Sequence, residues 1–220
     1  MSFASYYSQK SYHKIGAGRM AGILRLLGDY SGTKILDVGC GEGVLGAMLK
    51  EEKEVLIYGI DISDEEIEKA MKVLDAAYCV DIETVTAWPE KIREQKYDFI
   101  ILTEVLEHIL FPEKVVRRLK ELSDKKTEVI ITVPNILFWK NRLSIFLGRF
   151  DYTEQGIMDR GHIHFFSWES LQKMLRGEGY TITETAHHFP TRFTRPFARF
   201  FPGLFAYQFI LKCRYASDEM

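Results

Sequence analysis

Short apolar runs alternate with amphipathic segments along most of the chain. Five runs of four to six residues are separated by stretches in which apolar residues recur at helical spacing. The predicted strands are Lys34–Val38, Val55–Ile60, Ala77–Val80, Tyr97–Leu102 and Glu128–Val133. Regular alternation of strand and helix predicts an α/β fold with a doubly wound parallel sheet. In such a fold the ligand lies at the carboxyl ends of the strands.

Capping residues mark where the predicted helices begin and end. Gly28 suits the C-cap of the first helix, Ser63 opens an S-x-x-E capping box, and Pro112 suits a first helical turn. Two last strands, Tyr180–Thr185 and Leu204–Tyr215, are predicted as an antiparallel pair at the sheet edge. The predicted helices are Ile15–Leu27, Val44–Glu52, residues 64 to about 76, Phe111–Ser123, Phe138–Leu147 and residues 168–177.

The regular alternation stops after Asn135. Residues 148–166 form an irregular polar and aromatic segment, and structured loops at the ligand end of a sheet are often lids or substrate-binding caps. We therefore predict a single domain over residues 1–220, with an N-terminal arm at 1–14 and a substrate cap at about 136–166.

The stretch Ile35–Gly43 contains the end of the first strand and a glycine-rich loop, which leads into the next helix at Val44. Its pattern is G-x-G-x-G, whereas a dinucleotide fingerprint would need a third glycine where Val44 stands. Asp37 lies two residues before the first glycine, where it would repel a pyrophosphate and attract the α-ammonium and sulfonium of S-adenosylmethionine. The loop therefore predicts a methyl-donor site. The structural alternative is an ordinary turn in which Asp37 and Glu42 are solvated.

Aspartates also end the next two strands. Asp61 lies about twenty residues beyond the first glycine, where an α/β sheet presents a carboxylate to ribose hydroxyls. Asp81 could accept a hydrogen bond from the adenine amino group, and Ile62 and Ile82 could enclose the ring. Asp61 could instead serve only as a helix-leading cap, and aspartates at strand ends are common. The three carboxylates at successive strand ends favour the donor site.

Composition narrows the class of partner. The 220 residues are 27% charged and 46% hydrophobic with a net charge of -2, so no nucleic-acid or anionic-membrane partner is expected. Three scattered cysteines indicate neither a disulfide framework nor a zinc site. No signal peptide is visible, and the apolar run Phe200–Leu211 is too short to span a bilayer. We expect a cytoplasmic protein without stable membrane insertion.

Together these motifs resemble the class I S-adenosylmethionine-dependent methyltransferases. The matching stretches, in the order and spacing of the family, are Ile35–Gly43, Tyr58–Ser63, Tyr97–Ile109 and Val133–Asn135. The resemblance implies a Rossmann-like seven-stranded sheet, mostly parallel with the last strand antiparallel, and S-adenosylmethionine as cofactor. The residues predicted to bind this cofactor are Asp37, Gly39, Cys40, Gly41, Gly43, Asp61, Ile62, Asp81, Ile82 and Thr103.

Two segments resemble particular branches of that family. Leu102–Ile109 is similar to the branch that contains the ubiquinone-biosynthesis O-methyltransferases. Asp151–Phe166 resembles a subgroup associated with sugar and polysaccharide modification, although this match is short. One departure is the turn Ser123–Thr127, which lacks the usual glycine and affects only a loop.

Two histidines are the candidate catalytic residues. Methyl transfer to oxygen needs an acceptor held in line with the donor and, often, a base for its proton. His108 follows the fourth strand, where the methyl group would point, and imidazole titrates near neutral pH. A structural hydrogen bond is the alternative role of His108. His162 in the cap is the other candidate, and its pairing with His164 raises a metal site, but without a third ligand no metal is predicted.

An aromatic and basic stretch occupies residues 187–205. It interleaves arginines with phenylalanines, as in a flap that meets an amphiphilic acceptor or a membrane surface. A sheet edge or a contact in a homodimer is the simpler interpretation, and we favour it.

The sequence thus predicts a methyltransferase that acts on a small-molecule acceptor, most simply at a hydroxyl oxygen. A binding or regulatory protein that keeps the donor site without turnover is the alternative. The fourth strand ends in Leu102–Val105 rather than the Asn/Asp-Pro-Pro-Tyr type used for base amino groups, which disfavours methylation of nucleic acids.

Overall fold

A seven-stranded sheet forms the centre of the computed structural model, which describes residues 16–190 and 200–215. The strand order is β3-β2-β1-β4-β5-β7-β6. The strands are β1 Lys34–Val38, β2 Leu56–Asp61, β3 Ala76–Cys79, β4 Phe99–Thr103, β5 Glu128–Pro134, β6 Tyr180–Thr185 and β7 Gln208–Tyr215. The first five strands pair in parallel, and β7 runs antiparallel to both β5 and β6. The predicted mostly parallel sheet with an antiparallel last strand is confirmed.

Helices cover both faces of this sheet. They are α1 Ala17–Leu27, α2 Val44–Glu52, α3 Asp64–Ala70, α4 Glu90–Arg93, α5 Pro112–Arg118, α6 Trp139–Phe146, α7 Trp168–Gly177 and α8 Pro202–Phe205, with 3-10 turns at Leu106–His108 and Leu119–Leu122. Buried residues of α1, α2 and α3 pack on one face, and those of α4, α5 and α7 pack on the other. Alternate residues of β4 contribute to the two cores, as expected for a strand buried on both faces.

Local signals position most helix ends as predicted. The Ser63 hydroxyl accepts a hydrogen bond from the Glu66 amide at the start of α3. Ser167 and Ser170 bond each other's amides reciprocally at the start of α7. Gly28 ends α1 with a φ of 63°. The serine side chains satisfy backbone amides that a helix start leaves unpaired.

Three predicted element boundaries were wrong. The helix predicted to reach residue 76 ends at Ala70, because Asp75 already pairs with Ile57 of β2 through its amide and its carboxylate. The strand predicted from Leu204 begins at Gln208, since Pro202–Phe205 form a helical turn. The helix predicted over 111–123 divides into α5 and a 3-10 turn, and α4 was missed.

Two predicted segments fall partly or wholly outside the described residues. The N-terminal arm at 1–14 lies there entirely, and so do residues 191–199 of the aromatic and basic stretch. Within the described part of the chain, no helix combines the length and the apolar character needed to cross a membrane.

Candidate active site

The glycine loop after β1 has a left-handed backbone at every second residue. The φ angles are 76° at Gly39, 51° at Gly41 and 83° at Gly43, a region that residues with a side chain rarely adopt. A Cβ at Gly39 would also lie 2.5 Å from Cγ2 of Val105. Both the conformation and the close approach of the segment after β4 therefore require glycine at this loop.

Asp61 ties the glycine loop to the end of β2. One carboxylate oxygen accepts from the Gly41 amide at 2.9 Å, and the other accepts from the Ser63 amide at 3.0 Å. The Ile60 carbonyl accepts from the amides of Gly39 and Cys40. Because a carboxylate offers about four lone-pair sites, these bonds leave acceptor capacity on Asp61 for a ligand hydroxyl.

A cavity of about 480 Å³ opens beside this loop at the carboxyl ends of β1 to β4. Most of the residues predicted from the sequence line it, namely Asp37, Gly39, Cys40, Gly41, Asp61, Ile62, Asp81, Ile82, Thr103 and His108. Gly43 is the N-cap residue of α2. His162 lies in the cap, and its ring contacts the ring of His108. The sheet thus brings residues from four separate strand ends to one cavity.

Asp37 is a buried carboxylate in the wall of this cavity. Only 2% of the surface of Asp37 is exposed to solvent. Burial, with added repulsion from Asp61, raises the pKa of Asp37 to about 7. A cationic ligand group would relieve this cost by attracting the ionised form. The charge and shape of the site therefore suit an ammonium group held between the glycine loop and β1.

The end of β3 contributes the far side of the cavity. The Asp81 carboxylate accepts from the Glu83 amide at 2.9 Å and from the Thr84 hydroxyl at 2.7 Å, so it also braces its own turn. Ile82 is buried, whereas Ile62 is 37% exposed at the cavity mouth. These two side chains give the cavity apolar surface of the kind that a flat aromatic ring would contact.

Cys40 and Thr103 place polar atoms in the same wall. Burial raises the pKa of the Cys40 thiol well above its usual range, so the thiol stays protonated and the loop uses this residue for its backbone. The Thr103 hydroxyl is buried and has no hydrogen-bond partner among the described residues. It is a polar group at the end of β4 that a ligand could satisfy.

Glu104 was not among the residues predicted to bind a ligand, yet it lines the cavity. Its φ of 55° makes it the one non-glycine residue with a positive φ in the described part of the chain. Its carboxylate accepts from the Thr132 hydroxyl at 3.0 Å and from the Gln208 amide nitrogen at 2.9 Å. Arg19 of α1 lies 3.7 Å away. Such backbone strain is typical of functional sites, and no sequence pattern signals it.

The two candidate catalytic histidines contact each other. The ring centroids of His108 and His162 are 4.8 Å apart. Nδ1 of His108 lies 2.9 Å from the Gly161 carbonyl oxygen, and Nδ1 of His162 lies 3.0 Å from that of Ile157. A carbonyl only accepts, so in each neutral ring Nδ1 carries the proton and Nε2 carries the lone pair.

Glu107 completes this cluster and was missed as a site residue. It is fully buried, and both its carboxylate oxygens are without a hydrogen-bond partner among the described residues. Burial, with repulsion from Glu104, raises its pKa well above the usual range. One ligand atom each from Glu107, His108 and His162 lies within 4.8 Å of the others. His164 instead contacts the Leu110 carbonyl.

Comparison with known proteins places this arrangement in context. A family model described as a methyltransferase domain matches residues 12–185. A ubiquinone biosynthesis O-methyltransferase from Citrobacter koseri is 33% identical over 129 residues, covering 57% of this chain and 52% of that protein. Its counterpart from Pasteurella multocida is 27% identical over 124 residues, covering 51% of each. The chain thus spans about half the length of the curated relatives it matches.

Solved structures with the same fold are also methyltransferases. A S-adenosylmethionine-dependent methyltransferase from Archaeoglobus fulgidus superposes with a TM-score of 0.65 at 14% identity, covering 97% of this chain and 100% of that one. Magnesium protoporphyrin IX methyltransferase from Synechocystis, solved with bound S-adenosylhomocysteine, gives a TM-score of 0.60 at 22% identity, covering 90% and 80%. At these identities the likeness concerns the fold.

Proposed function

The chain belongs to the class I S-adenosylmethionine-dependent methyltransferases, and from this membership we propose that it methylates a hydroxyl oxygen of a small molecule. The observation that carries the proposal is Asp37, a buried carboxylate whose pKa is raised to about 7 in a cavity made by four strand ends. Such a carboxylate suits a cationic cofactor. The 33% identity over 129 residues to a ubiquinone biosynthesis O-methyltransferase supports oxygen as the acceptor atom.

The donor half of the proposed site uses residues from three strand ends. Asp37 would hold the α-ammonium of S-adenosylmethionine, and Asp61 would accept hydrogen bonds from the ribose hydroxyls. Ile62 and Ile82 would enclose the adenine ring, and Asp81 would accept from its amino group. The absence of a side chain at Gly41, where an added Cβ would lie 3.7 Å from Glu66 Oε2, leaves room for the ligand against the loop.

The acceptor half lies where β4 ends and the cap begins. When bound, the cofactor supplies a methyl group that its sulfonium already activates. The thioether leaves as a neutral molecule, so no acid is needed to protonate it. The protein must therefore position the acceptor oxygen in line and remove its proton. His108 lines the cavity and contacts His162, which supports a role for the pair at the acceptor hydroxyl. The imidazoles can act as a general base or as ligands of a cation, and the buried Glu107 beside them favours the second role.

The experiment combines methyl-labelled S-adenosylmethionine with a panel of phenols, catechols and sugar alcohols. We expect S-adenosylhomocysteine release and an O-methylated product with at least one acceptor. Asp37→Asn should lower kcat/KM by roughly 10- to 100-fold, the cost of losing a charge-assisted hydrogen bond of about 1.5–3 kcal/mol.

Asp29→Asn is the matched control, because Asp29 follows α1 at the opposite end of the sheet and is exposed. This variant should keep wild-type turnover. Cofactor binding with no S-adenosylhomocysteine release across the panel would overturn the enzymatic proposal and favour a binding protein. Equal losses in Asp37→Asn and Asp29→Asn would overturn the role of Asp37.

A further inference from the structure

The cluster of Glu107, His108 and His162, in which Glu107 and His162 are buried and His108 is partly exposed, has the composition of a metal site. We infer that these three side chains bind a divalent transition-metal cation of the Zn²⁺ type beside the cofactor cavity. The spacing of His162 and His164 along the chain suggests a pair of ligands without a third. The fold instead brings Glu107 and His108 of the 3-10 turn after β4 to His162 and leaves His164 outside the cluster.

The donor set is chemically suitable. Two imidazole nitrogens and one carboxylate oxygen form a three-ligand set of the kind that leaves a further coordination position open. The three ligand atoms lie within 4.8 Å of one another. Tetrahedral bonds of about 2.1 Å would bring them to roughly 3.4 Å. The ligand atoms must therefore approach by at most roughly 1.4 Å when an ion binds, a distance within reach of side-chain rotation.

Both imidazoles have one ring nitrogen held by a backbone carbonyl, as metal-binding histidines do. A metal-binding histidine usually donates its second ring N–H to a carbonyl or carboxylate, which fixes the tautomer. His108 and His162 do so through Nδ1 to the carbonyls of Gly161 and Ile157. Nε2 is therefore the lone-pair nitrogen in each ring.

Glu107 provides the independent reason to expect a cation. Its carboxylate is fully buried, and neither oxygen has a hydrogen-bond partner among residues 16–190 and 200–215. A buried carboxylate without a partner is costly. A cation bound by Glu107 and the two histidines would remove this cost, whereas a purely structural glutamate at this position would gain nothing from its charge.

Backbone hydrogen bonds hold the ligands together from two distant segments. The Glu107 carbonyl accepts from the amides of Ile163 at 2.9 Å and His164 at 3.0 Å. Asp159 accepts from the Gly161 amide at 2.7 Å, which braces the turn before His162. The cap is therefore fastened to the 3-10 turn at the cluster itself, so the backbones that carry the ligands are held close together and only side chains need to move when an ion binds.

The location gives the ion a chemical role that rests on the proposed function. His108 lines the cavity, so an open coordination position there could hold the acceptor hydroxyl oxygen. Binding to the cation would lower the pKa of that hydroxyl, and its proton would pass to water. The resulting oxygen would form a bond to the methyl carbon as the carbon–sulfur bond breaks and S-adenosylhomocysteine leaves as a neutral thioether.

The test measures metal binding directly, without any turnover. The full chain is dialysed against chelator, titrated with zinc sulfate by calorimetry, and loaded with cobalt chloride for absorption spectroscopy. We expect one ion per chain and a visible cobalt spectrum of low-symmetry coordination. His162→Ala should weaken zinc binding by roughly 100-fold or more, since the loss of outer-shell partners alone costs 10- to 100-fold.

His164→Ala is the matched control for metal affinity, two residues further along the same segment and bonded to Leu110 instead. It should bind zinc as the wild type does. Glu107→Gln keeps the side-chain shape and should also weaken binding, which guards against an unfolded His162→Ala. No retained ion in the wild type, or equal losses in His162→Ala and His164→Ala, would overturn the inference.

The outcomes separate this inference from the proposed function. Zinc binding without methyl transfer leaves the metal site intact and contradicts only the acceptor chemistry. Methyl transfer by a metal-free, chelator-treated protein at the wild-type rate overturns the catalytic role of the ion.

Discussion

Asp37 combines a predictable position with an unpredictable property. Its place before the glycines follows from the sequence, because the spacing of a short strand and a G-x-G-x-G loop is local. Its pKa of about 7 depends on complete burial and on repulsion from Asp61 across the neighbouring strand. Neither the burial nor the neighbour is visible in a linear pattern. The type and spacing of a residue thus indicate the ligand, whereas the surrounding fold determines the pKa of the side chain.

This raised pKa should make the ligand-free protein less stable as pH rises. An unfolded aspartate titrates near 3.9, so between about pH 4 and 7 the unfolded chain loses a proton that the folded chain keeps. Stability therefore falls across this window by up to about 4 kcal/mol and is level above it. Asp37→Asn should lack this contribution, and urea unfolding of both proteins from pH 4.5 to 8 measures the difference. A difference that does not change with pH would contradict the assigned pKa.

Glu107 and Glu104 show what sequence could not supply at this scale. Both lie in the motif Tyr97–Ile109, which is visible in the sequence. Only the fold shows that the Glu107 carboxylate is buried without a partner among the described residues and that Glu104 has a positive φ. Burial of Glu107 depends on the cap, which reaches it from a later part of the chain.

At the scale of elements, helix starts were predictable because their determinants are local. Ser167 illustrates this, since its hydroxyl and that of Ser170 satisfy each other's amides within one turn. The errors arose where a distant contact decided a boundary. Asp75 pairs with Ile57 and shortens α3, and Asn135 donates to the carbonyls of Gly203 and Ala206 and holds the turn before β7.

Removal of the α7 cap should have a measurable cost. Ser167→Ala leaves helix-end amides without their side-chain acceptor, and we expect a loss of about 1 kcal/mol in the free energy of unfolding. Leu171 and Leu175 of the same helix are fully buried in the core, so the variant should still fold. Ser144→Ala, on the exposed surface of α6, should change stability by less than about 0.5 kcal/mol. Urea denaturation of both variants tests the prediction, and equal effects would contradict it.

At the scale of the whole molecule, the sheet topology determines where the site can form. The order of strands reverses between β1 and β4, and ligands bind at such a switch point. The alternation of strands and helices predicted a site at the carboxyl ends of the strands, whereas the strand order comes from the structure. The metal cluster was not predictable from the sequence. Glu107 and His108 lie in the turn after β4, and His162 lies more than fifty residues later in the irregular cap, so only the fold brings them together.

Cofactor binding should stabilise the entire fold, because the cavity is walled by four strand ends. At a concentration 100 times its Kd, a ligand adds about 2.7 kcal/mol of stability. For a protein of this size that corresponds to a rise in Tm of roughly 5–10 °C. Differential scanning fluorimetry with S-adenosylmethionine measures it, and Asp37→Asn should reduce the shift strongly at the same concentration. An unchanged Tm at saturating cofactor would argue against the donor site.

The position of β7 has a consequence for biosynthesis. This strand comes last among the described elements, yet it lies inside the sheet between β5 and β6. While a ribosome is still adding residues 208–215, β5 has an open edge of apolar strand and β6 has no partner. Such edges promote association between nascent chains. The sheet of this domain can therefore close only after residues 208–215 have been synthesised, and protection of the open β5 edge matters until then.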